Sequence, residues 1–476
     1  MKKEKKILVY YHPIFITAVY ILLHILIRLS FSETLQVDDR EQILAAQNLS
    51  LGYMMPQPPL YSWLAWFFFK IFGSNLFALT LLKYSLIFIT FGYIWGISKR
   101  LFKNTTIQKL AFYSFFLMPS FFWHMHQGFT HTILLGLGIV SSFYYILILK
   151  KTRTKLNYFF LGLSISTGLL AKYSFPLFIL PIFISLFSVK SFRRVVFNKG
   201  FFISLITILL ITSPHFSWLI HNFHLIAAQA ETRLAISMPE NASPLFTTIE
   251  IFKSFLGFIT PLFILMLPIF IKKEIYKYNI RESYLLLRNF YLLIFLCVLV
   301  FSLVYEIVHI KVRWLHPIMM IIPFLLWIMA EGKIKLEKKF LKIFFISTFL
   351  LSLLVIVVRV FQVTYAPIYG FDGRLNIPIT QTLQKIPQNL YNESILISKN
   401  YDIVAHLISI FPENQIIYGN DKFNDFGQDA KHCLEIENKP IKQHKDSLIF
   451  GEVYSEINQE KLYKIYYHYR KNQNCY

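Results

Sequence analysis

Cysteine and acidic residues are scarce in this chain of 476 residues. It contains three cysteines and 26 aspartates and glutamates, against 48 lysines and arginines. No Cys-x-x-Cys pair is present, which excludes a metal site of that spacing. Charged residues make up only 16% of the chain and hydrophobic residues 55%, which excludes a soluble protein and indicates an integral membrane protein.

Long hydrophobic runs recur through residues 1–361. On windows of about 19 residues they predict eleven membrane spans, and the shorter run 60–69 is predicted to be a juxtamembrane or re-entrant helix. The segment 28–32, RLSFS, makes a poor signal-peptidase cleavage site, so we expect that span to be retained. The predicted spans are 14–29, 76–97, 110–122, 130–149, 158–171, 175–187, 201–220, 255–271, 291–307, 314–329 and 344–361.

Lysine and arginine cluster in every second connection between the predicted spans, as at 99–109 and 150–155. This positive-inside pattern predicts a cytoplasmic N-terminus. The net charge of +22 is then mostly topological, because juxtamembrane basic residues face anionic membrane lipids, and a nucleic-acid partner is excluded. The same alternation places Asp38, Lys172 and residues 124–131 on the outer side of the membrane.

The tail, residues 362–476, is rich in Asn, Gln, Lys and Asp and has no run long enough to span. Strands are predicted at 394–397, 415–418 and 447–450, and helices at 401–411 and 455–467. We therefore predict an α-helical membrane domain over 1–361 and a small extracytoplasmic α/β domain over 362–476. Cys433 and Cys475 lie in this tail, where an oxidising compartment would allow them to pair.

The polar stretch 37–63, VDDREQILAAQNLSLGYMMPQPPLYSW, carries two adjacent carboxylates, Asp38 and Asp39. Asp38 with Glu41 three residues later has the arrangement of a capping box, and it predicts a helix that ends at Gly52. A carboxylate at a helix N-terminus stays ionised and oriented, which is the state a general base requires. A capping role without catalysis is the alternative interpretation.

The pattern D-D-x-E-Q followed by L-G-Y-x-x-P-Q-P-P-L-Y-S-W-L resembles the first extracytoplasmic loop of the GT-C glycosyltransferases of families 39 and 83. That superfamily contains the protein mannosyltransferases and aminoarabinose transferases. The resemblance implies a GT-C fold, a polyprenyl-phosphate-sugar donor, and neither a nucleotide sugar nor a cofactor. It also implies that Asp38 is the catalytic base, while Asp39 caps the helix or tunes its neighbour.

Cations that the positive-inside rule does not explain are the candidate phosphate contacts. Lys172 and Tyr173 form a turn between two apolar spans that is similar to a Lys-Tyr turn of the family. Arg313 opens Arg-Trp-Leu-His-Pro, which resembles the family's Arg-aromatic-x-x-Pro element. Arg233 lies in a predicted outer loop, and Lys83 lies inside the second span, where a charge costs several kcal/mol unless paired or solvated. Salt bridges or snorkelling contacts are the alternative roles of these residues.

Two features depart from the family pattern. Gln57 precedes the Pro-Pro pair where relatives commonly carry His or Lys, so another cation must neutralise the phosphate. The segment 123–131 has no aspartate but contains His124, His126 and His131. Structural hydrogen bonding is the favoured role for these histidines, and no metal site is predicted, because no carboxylate or cysteine lies close in sequence.

The sequence thus predicts an inner-membrane glycosyltransferase that acts on the outer side. It would transfer a sugar from a polyprenyl-phosphate donor to an envelope glycan or glycolipid such as lipopolysaccharide. The alternative is a transporter or flippase for a lipid-linked sugar, but no inverted repeat is visible and few spans are broken by Gly or Pro in matching halves.

Overall fold

The computed structural model describes most of the chain. The described residues are 12–235, 244–271, 281–304, 312–331, 337–371, 373–392, 394–418, 421–423, 432–441, 447–458 and 461–471.

Helices dominate the described chain up to residue 364. The first group is α1 (Pro13–Phe31), α2 (Val37–Ala45), α3 (Leu60–Phe72), α4 (Leu76–Leu101), α5 (Thr105–Tyr113), α6 (Pro119–Phe122), α7 (Thr130–Leu149) and α8 (Lys155–Ala171). The second group is α9 (Pro176–Ser188), α10 (Lys190–Val196), α11 (Phe201–Ala235), α12 (Pro244–Ile271), α13 (Glu282–Val304), α14 (His316–Met319), α15 (Ile322–Glu331) and α16 (Lys338–Thr364).

Seven helices in the described residues are long and apolar enough to cross a membrane. They lie in α1, α4, α7, α11, α12, α13 and α16, and shorter apolar helices include α3 and α9. These helices confirm a helical, multi-pass membrane protein, whereas the number of eleven spans stays a prediction. α3 is 13 residues long, as expected for the short run before the second long helix.

The predicted span 110–122 is wrong as one continuous helix. α5 ends at Tyr113, a 3₁₀ turn covers Ser114–Leu117, and α6 begins at Pro119. Met118 is extended, with φ −100° and ψ 125°. Proline has no N–H to donate and disfavours a helical conformation in the residue before it, so the helix breaks at this position.

The chain divides into two compact units, each assembled from separate stretches of sequence. The first comprises residues up to Ile21 together with Ser50–Tyr61 and Ser85–Val355. The second comprises Leu22–Leu49, Ser62–Tyr84 and Ile356–Tyr476. The boundary between residues 361 and 362, which composition suggests, stays a prediction.

Aromatic rings and glycines pack the interior of the first unit. The Phe91 and Phe116 rings are in tilted contact with centroids 4.9 Å apart, and the Trp327 indole N–H donates to Ser114 Oγ at 2.6 Å. α7 and α8 meet at Gly138 and Gly168, where a Cβ on Gly138 would lie 2.6 Å from the Gly168 Cα. Such a close approach of two backbones in a membrane bundle requires small residues.

The tail of the second unit forms a six-stranded sheet in the order β3-β2-β1-β4-β6-β5. β1 is parallel to β2 and β4, and the remaining neighbours are antiparallel. Helices α17 (Ile379–Leu383), α18 (Gln388–Tyr391) and α19 (Tyr401–Ile410) accompany it. The strands are β1 (Ser394–Ile397), β2 (Ile416–Tyr418), β3 (Asp421–Phe423), β4 (His432–Glu437), β5 (Ser447–Asn458) and β6 (Lys461–Lys471).

The small α/β domain is therefore confirmed, with one error in its elements. The helix predicted at 455–467 is wrong, because that segment forms the end of β5 and most of β6. Its tyrosines and isoleucine favour a strand, and tertiary pairing with β4 and β5 settles the conformation. Cys433 in β4 is buried and disulfide-bonded, whereas Cys475 lies outside the described residues and Cys297 is a free thiol.

Candidate active site

The acidic helix α2 begins at Val37, with Gln36 as its N-cap. The backbone N–H of Gln36 donates to Asp39 Oδ2 at 3.1 Å. Asp39 therefore occupies the third helical position, from which a side chain can reach back to the N-cap. The prediction that Asp38 is the N-cap is wrong, and so is the predicted end at Gly52, because α2 ends at Ala45.

Asp39 is held by a second donor within the same unit. Its Oδ2 also accepts from the Arg28 guanidinium at 3.3 Å, and both side chains are buried. Arg28 donates in addition to the carbonyls of Ser32 and Thr34, each at 2.7 Å. This network fixes the turn that leads from α1 into α2. The neighbouring Asp38 is half-buried.

Basic side chains from three membrane helices surround this acidic pair. Lys83 of α4 is buried and interacts electrostatically with Asp39, Asp38, Arg359 and Arg28. Arg359 of α16 is also buried, at 4% exposure. We call the five residues Arg28, Asp38, Asp39, Lys83 and Arg359 the charged cluster, and by formal charge it carries three cations against two carboxylates.

The sequence interpretation selected Lys83 but missed Arg28 and Arg359. His24 and Arg28 are four residues apart on α1, so they share one face of that helix. His24 is buried and stacks on Tyr84, with ring centroids 6.4 Å apart. Two sequence signals could have revealed these buried charges: the His24–Arg28 pair on α1, and Arg359 within the last apolar run.

Lys172 and Tyr173 form a second polar group, within the first unit. Lys172 Nζ donates to Thr132 Oγ1 at 3.0 Å and interacts electrostatically with His131 and His316, both of which are buried. The backbone places Lys172 directly after α8, which ends at Ala171. The turn thus directs the ammonium group toward polar side chains rather than toward lipid.

The Tyr173 hydroxyl lies 3.2 Å from His215 Nε2, and His215 Nδ1 lies 2.9 Å from the Leu51 carbonyl oxygen. The His215 ring also stacks on Trp218, with centroids 5.9 Å apart. Burial raises the pKa of Tyr173 to about 12. Tyr173 is therefore a neutral hydrogen-bonding group at physiological pH, and it links the turn after α8 to α11.

The histidines of 124–131 are distributed among separate contacts. His126 Nε2 lies 2.8 Å from the Tyr20 hydroxyl, His124 stacks on Phe129 with centroids 5.5 Å apart, and His131 lies beside Tyr61 at 5.6 Å. Burial lowers the pKa of His124. Within the described part of the chain, no group of three or more His, Cys, Asp or Glu is arranged to hold a metal ion.

Gln57 is half-buried in an irregular segment, next to the buried Pro58. Arg233 is near the end of α11, which extends to Ala235 through part of the predicted outer loop. The backbone of Arg313 lies in a 3₁₀ helix over Val312–Leu315. The side chains of Arg233 and Arg313 lie outside the described residues, and the binding roles of all three residues stay predictions.

Residues 56–218 match the sequence profile of a family described as dolichyl-phosphate-mannose-protein mannosyltransferase. The chain is also similar to two lipopolysaccharide core galacturonosyltransferases of Rhizobium johnstonii, RgtB and RgtA. Identity is 30% over 221 residues with RgtB and 27% over 219 residues with RgtA. In each case the match covers 46% of this chain and 44% of the relative, so it spans less than half the length of these relatives.

The fold is similar to that of ArnT from Cupriavidus metallidurans, whose crystal structures are known in the apo state and bound to undecaprenyl phosphate. The TM-score is 0.60 for both structures, at 10% sequence identity. The superposition with the bound form covers 95% of this chain and 97% of ArnT. The likeness therefore includes both the helical membrane part and the C-terminal domain.

Proposed function

We propose, from the premise that the chain belongs to the GT-C superfamily, that it is a glycosyltransferase with a polyprenyl-phosphate-linked sugar as donor. The acceptor is an envelope glycolipid, with lipopolysaccharide as the first candidate. The names of RgtA and RgtB support this acceptor and a galacturonosyl group as the sugar, and the ligand of ArnT supports the class of donor lipid. The reaction takes place on the outer side of the inner membrane, and the C-terminal domain lies on that side.

The proposed reaction is a direct displacement at the anomeric carbon. The acceptor hydroxyl oxygen forms a new bond to that carbon, while the bond from the carbon to the phosphate oxygen breaks. The polyprenyl phosphate leaves with the bonding electrons, and the hydroxyl proton moves to Asp38. A general base in such a step typically contributes about 10²- to 10⁴-fold to the rate.

The charged cluster supports separate roles for its two acids. Asp39 receives both the Gln36 N–H and the Arg28 guanidinium, so it orients the start of α2. Asp38 has the neighbouring position on the same helix and lies in the electrostatic field of Lys83. Asp38 is therefore the better candidate base, and Asp39 is the residue that holds the helix bearing it.

Lys83, with Arg28 and Arg359, is the proposed partner of the donor phosphate. The cluster has an excess of one positive charge, and a phosphate monoanion or dianion would be attracted to it. In this proposal, these cations supply the positive charge that the neutral Gln57, before the Pro-Pro pair, does not provide. Lys172, Arg233 and Arg313 stay predicted phosphate contacts, and Tyr173 stays a predicted substrate contact.

The observation that carries the proposal is the juxtaposition of the half-buried Asp38 and the buried Asp39 with the buried Lys83 inside a chain of GT-C fold. Asp38→Asn tests it in purified protein, with polyprenyl-phosphate galacturonate as donor and lipopolysaccharide core as acceptor. Transfer is expected to fall at least 100-fold, with donor binding retained. Glu33→Gln is the matched control, because Glu33 is an exposed acid in the segment between α1 and α2.

Unchanged transfer by Asp38→Asn would refute the role of Asp38 as base. A wild-type protein that moves the donor lipid between leaflets, but transfers no sugar from any of a panel of polyprenyl-phosphate sugars, would refute the enzyme and favour the transporter.

A further inference from the structure

The acidic helix α2 packs on helix α19 of the C-terminal domain, and both belong to the second unit. α19 begins after Asn400, whose side chain accepts hydrogen bonds from the backbone N–H groups of Asp402 and Ile403. This N-cap fixes the first turn of α19. The first turn carries Asp402, and the next turn carries His406.

Asp402 joins α2 to a second segment of the tail. Its carboxylate forms ion pairs with Arg40 of α2 and with Arg374, and the Arg374 contact is 2.5 Å. Arg40 is buried and also lies over the Tyr401 ring, 5.6 Å from its centroid. Burial, with Arg374 nearby, lowers the pKa of Arg40 to about 10, so its guanidinium remains charged at neutral pH.

His406 holds the residue that precedes the helix. The backbone N–H of Leu35 donates to His406 Nε2 at 3.1 Å, and His406 Nδ1 donates to the Asp402 carbonyl oxygen at 2.6 Å. The ring can make both bonds only when it is neutral, with its proton on Nδ1. Burial and the neighbouring arginines lower the pKa of His406 to about 3, which maintains that state.

Two hydroxyl groups complete the attachment. Ser32 Oγ donates to the Leu375 carbonyl oxygen at 2.8 Å, and Thr34 Oγ1 donates to the Ile377 carbonyl oxygen at 2.6 Å. The connection from α1 to α2 is therefore bonded to the tail at successive points. None of these contacts uses Asp38 or Asp39.

We propose that the C-terminal domain acts as a clamp on the acidic helix, and that Asp402 and His406 are positioning residues for Asp38. The inference rests on the proposed role of Asp38. Asp38 lies two residues before Arg40 and three after Leu35, so the clamp holds the backbone on both sides of the carboxylate. A displacement of about 1 Å in a reacting group can reduce a rate about 100-fold.

A pair of arginine variants tests the ion-pair half of the clamp. Arg40→Met removes the bond between Asp402 and α2, whereas Arg374→Met removes the other partner of the same carboxylate and leaves the α2 bond in place. Arg40→Met is expected to lower kcat for sugar transfer 10- to 100-fold, with KM for the donor changed less than threefold. Arg374→Met is expected to keep kcat within threefold of wild type.

A pair of histidine variants tests the hydrogen-bonding half. His406→Leu removes the acceptor for the Leu35 N–H, and His406→Gln retains an acceptor oxygen close to the position of Nε2. His406→Leu is expected to lower kcat by about tenfold, whereas His406→Gln is expected to keep most of the wild-type kcat. His432→Leu is the matched control, because His432 of β4 is a histidine of the same domain that stacks on Tyr469 of β6, with centroids 4.9 Å apart, and is not one of the clamp residues.

Hydrogen–deuterium exchange of the α2 amides provides a measurement independent of catalysis. The clamp predicts faster exchange over residues 37–45 in Arg40→Met and His406→Leu than in their controls. Equal exchange and equal kcat within each pair would overturn the clamp. Faster exchange with unchanged kcat would overturn the positioning role. The role of Asp38 as base is tested separately from the clamp, by measuring sugar transfer by Asp38→Asn.

Discussion

Lys83→Met is the sharpest test of the proposed phosphate site. Lys83 is 7% exposed, and methionine replaces its charge with an apolar side chain of similar length. A hydrogen bond to a charged group contributes about 1.5–3 kcal/mol. Since about 1.4 kcal/mol corresponds to a tenfold change in affinity, the variant is expected to bind polyprenyl phosphate about 10- to 150-fold more weakly.

The fold of this variant is expected to persist, because Arg28 still donates to Asp39 and the cluster keeps two cations against two carboxylates. Equilibrium binding of radiolabelled undecaprenyl phosphate to the detergent-solubilised protein measures the effect. Lys70→Met is the matched control, because Lys70 is exposed near the end of α3 and lies over the Trp66 ring. Binding by Lys83→Met within twofold of the wild-type protein would refute the electrostatic reasoning.

Two further predictions concern stability, each measured by thermal unfolding in detergent. Gly138→Ala is expected to destabilise the protein by about 1–3 kcal/mol, because the new Cβ meets the Gly168 backbone. Gly92→Ala is the control and is expected to be neutral or stabilising, because the space around Gly92 is open. Equal effects of the two substitutions would contradict this packing. The free energy of unfolding of the wild-type protein is expected to fall by about 2 kcal/mol between pH 7.5 and pH 5 because of His406. The unfolded chain binds a proton at this histidine below pH 6.5, whereas the folded ring stays neutral down to about pH 3. That contribution is complete above pH 6.5, and a slope that persists unchanged in His406→Gln would contradict the assignment.

The elements that follow local patterns were predictable from the sequence. Ser394–Ile397 is a strand and Tyr401–Ile410 is a helix almost as predicted, because an apolar β-branched run and an amphipathic pattern lead to one conformation each. The sequence predicts a helix over residues 455–467, which include the first seven residues of β6, because their apolar residues fit both periods, and only the pairing of β6 with β4 and β5 decides between helix and strand. The end of α2 was misplaced because Gly52 is a glycine that accommodates Trp218 rather than a helix terminator.

Residues of the candidate site could be predicted from the sequence only where a charged residue differs in kind from the residues around it. Lys83 attracts notice because it interrupts an apolar run, and Asp38 and Asp39 because acids are scarce. The sequence interpretation placed the cap on Asp38, whereas Gln36 is the N-cap and its backbone N–H donates to the Asp39 side chain at the third helical position. Arg359 reaches the cluster only through the fold, since it interacts with Lys83 of a distant helix, whereas Arg28 pairs with Asp39 only 11 residues away but lies within an apolar run that was interpreted as a plain span.

The bond from Leu35 to His406 has a consequence for how the molecule is made. These partners are 371 residues apart in the chain. At a synthesis rate of about 5–20 residues per second, the polar segment around Leu35 leaves the ribosome roughly 20–75 s before the histidine that completes its hydrogen bonds. The membrane helices are therefore inserted while the acidic segment still lacks these bonds, and the proposed clamp forms only when the C-terminal domain packs onto a turn that was synthesised long before it.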